Sequence, residues 1–299
     1  MGRIDELIQT DAENVLNSRE ALGRFHPELL AALDTAAEIF KTFSRCLEGV
    51  LDDSRDADLL VECAESLRVD LNMLIRQAER DVQAGSTLDQ TRAVLCRVMA
   101  RRARAITFLL LERHYMWAVT DLLRMRITPA NGYLRLQAES LALLILMRND
   151  ASLANEWLHI KSDCEGVSFY RKHQGRILQE LQRYVLRGAY EKGSGAALHV
   201  RFASAARGLA PDHKPNEIWL SYREINKDRL FDYYLEVLYF LRIQERVLHA
   251  LTDAFPGVSD PFWIERVRIF GRTVDSLWQH LERMFPRESD RCSRMQLET

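Results

Sequence analysis

Two stretches of this 299-residue chain hold side chains whose types and spacing could do chemistry. The first, Arg135-x-x-x-Glu139-Ser140, opens the most apolar run of the sequence. Four residues apart on a helix, a guanidinium and a carboxylate share one face, and inside a bundle each needs partners to offset the loss of water. The second, Tyr190-x-x-x-Ser194-x-x-x-x-His199, crosses a glycine-rich stretch. Its pattern predicts Ser194 as a helix cap and places His199 one turn later, facing inward. If both stretches return to one core, Arg135, Glu139, Tyr190, Ser194 and His199 form a polar cluster that lines or plugs an interior cavity. A structural role is favoured over ligand binding. For a tightly buried pair, Glu139→Gln should cost a few kcal/mol, because Arg135 is left as an uncompensated cation.

Three catalytic chemistries can be weighed against these residues. A carboxylate-bridged metal pair in a bundle needs two Glu-x-x-His elements and two further glutamates. The chain offers Glu156-Trp157-Leu158-His159, while Glu245-x-x-x-His249 has the wrong spacing and Glu112-x-His114 points its side chains apart. No metal or cofactor is expected. Small helical ribonucleases of defence and toxin systems use an arginine followed by a histidine a few positions on. Arg207-Gly-Leu-Ala-Pro-Asp-His213 has that spacing, although Pro211 interrupts the turn, and Arg97, Arg101 and Arg104 could form a phosphate track. A nucleophile elbow, a Walker loop and a dinucleotide fingerprint are absent; Gly193-Ser194-Gly195 lacks the strand that should precede a nucleophile.

The Arg135-x-x-x-Glu139 element, the leucine run and acid-to-Trp157 stretch from Leu141, and the later Ser194-to-His199 stretch together resemble a broad group of bacterial all-helical domains of unknown function. The resemblance covers about residues 130–205. It implies a helical fold and a bacterial origin, and carries no activity with it.

The elements that must position these side chains are helical. Only 13 Gly and 7 Pro are spread over the chain, too few to punctuate a sandwich or barrel. Apolar residues recur every three or four positions from Glu28 to near Gly49, from about Asp56 to Ala84, and from Leu88 to about Arg126. Thr128-Pro129-Ala130-Asn131-Gly132 reads as a breaker before a helix over Tyr133–Arg148. This helix and the second half of the Leu88–Arg126 helix are apolar around most of their circumference, which makes them the two buried central helices. Short helices follow over Ala151–His159 and Gly166–Arg187. Gly188, Gly193, Gly195, Gly208, Pro211 and Pro215 mark residues 188–215 as irregular, with a short helix at Ala196–Ala206. A long aromatic-rich helix runs over Asn226–Phe255, and Ser259-Asp260-Pro261 opens a last one to about Phe285.

The expected architecture is one all-α domain, a multi-helix bundle of roughly eight to ten helices. Residues 1–86 form an acidic, semi-independent layer, and 286–299 a disordered tail. Residues 1–90 hold 9 basic and 19 acidic side chains, net -10, so the rest of this chain of net charge -2 carries +8. Such patches attract one another within the fold or across a dimer. The five cysteines are scattered and never form Cys-x-x-Cys, and no apolar run approaches the roughly 18 residues of a membrane span. These features predict a cytoplasmic protein. The function they favour is a protein-interaction or ligand-sensing module without catalysis, with a protein partner or homo-oligomer. The alternative is a metal-independent ribonuclease that contacts RNA.

Overall fold

A computed structural model describes residues 27–45, 88–124, 126–197, 230–255 and 261–286, with scattered positions between 9 and 24 and between 76 and 85. These residues form helices and no strand: α1 (Pro27–Arg45), α2 (Leu88–Leu123), α3 (Ile127–Asn149), α4 (Ala151–Leu158), α5 (Asp163–Arg183), α6 (Arg187–Ala197), α7 (Leu230–Ala254) and α8 (Pro261–Met284). The architecture is the all-α bundle that the periodicity predicts. None of the described helices is long and apolar enough to cross a membrane. The expected Asp56–Ala84 helix lies almost wholly outside the described residues, as does the tail from 287.

Local chemistry explains several boundaries. Asp150 caps α4, its carboxylate accepting from the Leu153 amide at 3.0 Å, and Arg176 of α5 binds its second oxygen at 2.9 Å. The amide bond above all holds the Asp150 carboxyl below the usual carboxylate range. Ser162 caps α5 by accepting from the Glu165 amide, while the Glu165 carboxylate accepts from the Lys161 amide at 2.7 Å. This is close to the reciprocal arrangement of a capping box. Arg148, near the end of α3, donates to the Ala254 carbonyl at the end of α7, where a cation meets the negative end of a helix.

Two expected boundaries are corrected. The stretch Thr128–Gly132 does not precede α3 but opens it, since the helix starts at Ile127. Pro129 is its third residue, and first-turn amides have no acceptor within the helix, so the missing N–H costs no bond. The break falls instead at Arg126, whose backbone is non-helical (φ -103°, ψ 83°). The predicted irregular stretch likewise begins with a helix: α6 takes in Gly188, Gly193 and Gly195. Arg187, expected at the end of one helix, starts the next.

One apolar cluster draws on all the described helices. Within α3, every side chain from Gln137 to Met147 is buried. The aromatic-rich α7 is its counterpart, with Tyr233 to Leu235, Val237 to Leu241 and Leu248 all buried. Only one side of α2 joins them, through Phe108, Leu111, Tyr115 and Leu122, whereas Leu109, Met116 and Trp117 stay 43%, 51% and 40% exposed. The acidic N-terminal stretch contributes Leu29, Leu33 and Ala36 of α1 to this same core. Two tyrosines fix α1 there: Tyr115 donates to the Leu33 carbonyl at 2.8 Å and Tyr234 to the Glu28 carboxylate at 2.6 Å.

Candidate functional site

Of the predicted polar cluster, Arg135, Glu139 and Tyr190 come together along one face of α3, where Asn131, Arg135 and Glu139 recur every four residues. A helix period alone aligns them, but what covers them is set by Gly193. A Cβ on that glycine would stand 2.3 Å from the Asn131 carbonyl oxygen and 2.5 Å from the Arg135 Cβ, so α6 rests directly on α3. Tyr190, three residues earlier on the same face of α6, is thereby laid on Arg135. The guanidinium sits 4.9 Å from the centre of its ring, and Nη2 donates to its hydroxyl at 3.5 Å.

The Arg135–Glu139 pair itself is loose, with 3.9 Å between Nη2 and Oε2. Burial pushes the Glu139 carboxyl above the usual carboxylate range, and Arg135 opposes this without cancelling it. Tyr170 of α5 faces the same group. Burial, with a contribution from Glu139, pushes its hydroxyl up to about 12, against a hydrogen bond from the Trp157 indole. Asn131 Nδ2 and Arg135 Nε are buried donors with no acceptor among the described residues, a place where a water or small polar ligand would fit.

The expected cost of Glu139→Gln therefore changes sign. A carboxyl whose folded pKa is raised stabilises the fold only below its ordinary range, and that contribution is lost as pH rises through the folded value. At neutral pH Glu139 is a burden, and Arg135 keeps the Tyr190 ring and hydroxyl when the charge is removed. The Glu139→Gln variant should unfold at a higher temperature than the natural chain at about pH 8 and at the same temperature near about pH 4. A variant less stable than the natural chain at the higher pH would show a tight ion pair instead.

The other predicted residues fare differently. Ser194 lies inside α6, near its end, and so is not an N-terminal cap. His199, Arg207 and His213 fall outside the described residues, and Arg97 lies in α2 at a position whose side chain is not described. Arg101 and Arg104, read as an open phosphate track, are buried at 7% and 8% exposure, because that turn of α2 packs into the bundle. The Glu156 carboxylate, half of the Glu-x-x-His element, is held by Lys172 at 2.9 Å and His173 at 3.1 Å. His159 turns Nδ1 to the Asn155 carbonyl at 2.7 Å. Both border a groove of about 600 Å³ with Phe169, Ser168 and Lys172, in which Glu156 already answers Lys172. Among the described residues no group of His, Cys, Asp and Glu could hold a metal ion.

Two features escaped the sequence reading. Gln137 of α3 and Gln244 of α7, both fully buried, exchange two amide hydrogen bonds of 2.8 Å. The second is the outer face of α2, where Ile106, Leu109, Arg113, Met116 and Thr120 follow one another at alternating steps of three and four. The Arg113 guanidinium lies 4.8 Å over the Trp117 ring, which also meets the rings of Tyr133 and His114 at 5.2 and 5.9 Å. Leu136 of α3, 39% exposed and one turn beyond Tyr133, extends the face. His114 is buried below it, 3.4 Å from the Ser140 hydroxyl, and burial followed by the Arg113 charge holds its pKa below the usual histidine value. No protein-family model, curated protein or solved structure matches the chain, which leaves the buried cluster and this outer face to be read from their own geometry.

Proposed function

We propose that this protein is a non-catalytic helical interaction module that docks a protein partner on the outer face of α2. The observation that carries it is the exposure of Leu109, Met116 and Trp117 together on one side of a helix whose other side is core. Met, Trp and Arg are the residue types enriched at protein interfaces, and the steps of three and four suit the packing of a second helix. In this reading the Arg135–Glu139–Tyr190 cluster is a strut. It ties α5 and α6 to α3, and α3 in turn backs the docking helix. The ligand-sensing alternative rests on the two unfilled donors of Asn131 and Arg135 and would act through the same strut.

The test is a photo-cross-linking amino acid placed singly at positions 109, 116 and, as a control, 272, where Arg272 of α8 is also exposed. In living cells positions 109 and 116 should each give a discrete cross-linked band that position 272 lacks. Absence of any band at 109 and 116, or the same bands at all three positions, would remove the docking face.

A further inference from the structure

We infer that the Arg135–Glu139–Tyr190 cluster binds a small carboxylate anion and takes up a proton on Glu139 as it does so. This deepens the ligand-sensing reading above and rests on it. The unused bonding capacity at the cluster is all of one kind. Arg135 Nε and Asn131 Nδ2 are buried N–H donors with no acceptor among the described residues, and Asn131 is only 3% exposed. Tyr170 of α5, which faces Arg135 and Glu139, accepts from the Trp157 indole and keeps its own O–H to donate. An occupant that answers these donors must offer oxygen acceptors.

Helix geometry brings the donors together. Side chains on a helix lean towards its N-terminus, so the stem of Arg135 lies over the turn that holds Asn131. Gly193 touches both residues, its missing Cβ 2.3 Å from the Asn131 carbonyl oxygen and 2.5 Å from the Arg135 Cβ, so α6 roofs them together. That close contact limits the occupant to a few heavy atoms. The Arg135 side chain stays 17% exposed, which gives the cluster an edge on solvent.

Charge decides between an anion and a neutral acceptor. The guanidinium lies on the Tyr190 ring and hydroxyl, and its own counter-ion is 3.9 Å away. A carboxylate against Arg135 Nε makes the charge-assisted bond that Glu139 does not make. It also stands beside the Glu139 carboxylate, and two carboxylates sharing a buried site do not both stay ionised. Glu139 is the one to take a proton from solvent, since burial already raises its carboxyl above the usual range. Among the described residues, the groups that set this balance are Arg135 on the same helix, Tyr170 on α5 and Tyr190 on α6, with His114 of α2 against the adjacent Ser140.

The experiment is isothermal calorimetry of the purified full-length protein with sodium acetate, at constant ionic strength, in pairs of buffers whose ionisation heats differ. Acetate should bind saturably with uptake of about one proton, and its affinity should fall about tenfold between about pH 7 and about pH 8, as linkage to a single proton requires. Glu139→Gln should bind acetate at least as tightly at both pH values, with no proton uptake. Asn131→Ala should weaken binding about tenfold or more, the loss of one bond to a charged acceptor. Should Asn131→Ala fail to fold, the proton count and the Glu139→Gln chain still decide.

Acetate binding without proton uptake overturns the inference, as does binding that stays pH-dependent in Glu139→Gln or is indifferent to Asn131→Ala. Acetamide has nearly the same shape and no charge. If acetamide binds and acetate does not, the anion is lost while the ligand-sensing reading stands. If neither binds, the donors hold water only, and that reading falls with the inference.

Discussion

Gly193→Ala is expected to lower the unfolding midpoint by several degrees, although the substitution replaces glycine in the interior of a helix. Helix propensity alone argues the other way, since alanine gains about 1 kcal/mol over glycine there. The gain is outweighed because the new methyl would stand 2.3 Å from a backbone oxygen, that of Asn131, and 2.5 Å from the Arg135 Cβ. A backbone atom within a buried helix cannot swing aside as a side-chain tip can, so α6 must lift off α3. Overpacking of this kind costs about 1–3 kcal/mol, at the upper end against a backbone atom, which leaves a net loss of up to about 2 kcal/mol. For a domain of this size that is a fall of up to roughly 8 °C. Lifting α6 also separates Tyr190 from Arg135, so the variant should lose the stacking contact along with stability. Gly175→Ala is the control. That glycine sits in α5 with nothing within 4 Å of the added atom, and the same change there should raise the midpoint. Calorimetry of the two variants gives opposite signs if the contact with α3 is what requires Gly193. Two rises would show that α6 is free to adjust.

That contrast also locates what a sequence can reveal of this fold. The periodicity of Leu29, Leu33 and Ala36 or of Leu141 to Met147 is a property of one helix and its buried face, and both were legible. So was the proline start of α8, because a fixed φ acts within a few residues. The glycines of α6 were misread as punctuation because their use lies in another helix: Gly193 is small for the sake of Asn131, sixty-two positions away. Pro129 was misread for a related reason, as its cost depends on whether it stands before, at or beyond the first turn. At the cluster, the shared face of Arg135 and Glu139 followed from their spacing, whereas the nearness of Tyr190 depends on Gly193 letting α6 rest on α3. The balance between them did not follow from spacing either. It depends on a 3.9 Å gap, on the depth of Glu139 and on Tyr170, none of which is written into Arg-x-x-x-Glu. The outer face of α2 was hidden by its own composition, since a helix apolar on most sides reads as enclosed whether its far side meets core or solvent.

The largest effect should come from the buried amide pair. Gln244→Leu removes one partner and leaves the Gln137 amide, fully buried in the middle of α3, with neither the donor nor the acceptor it now uses. An unsatisfied buried polar group costs about 1–3 kcal/mol, and the amide has two such groups. The single variant should therefore lose roughly 3 kcal/mol, about 6–12 °C in midpoint. Gln137→Leu should lose a similar amount by the same reasoning applied to Gln244. Removing both amides together is a different case. Two leucines of similar size meet across α3 and α7 with no stranded polar atom, so most of the loss should be recovered, and the coupling between the positions should be large and favourable. If the two single losses simply add in the double variant, the amides are not exchanging hydrogen bonds with each other. A recovered double variant would also separate stability from specificity. The reciprocal pair forms at one register of α3 on α7 alone, whereas leucines tolerate neighbouring registers, so the double variant should exchange its buried amide protons faster than the natural chain at equal midpoint.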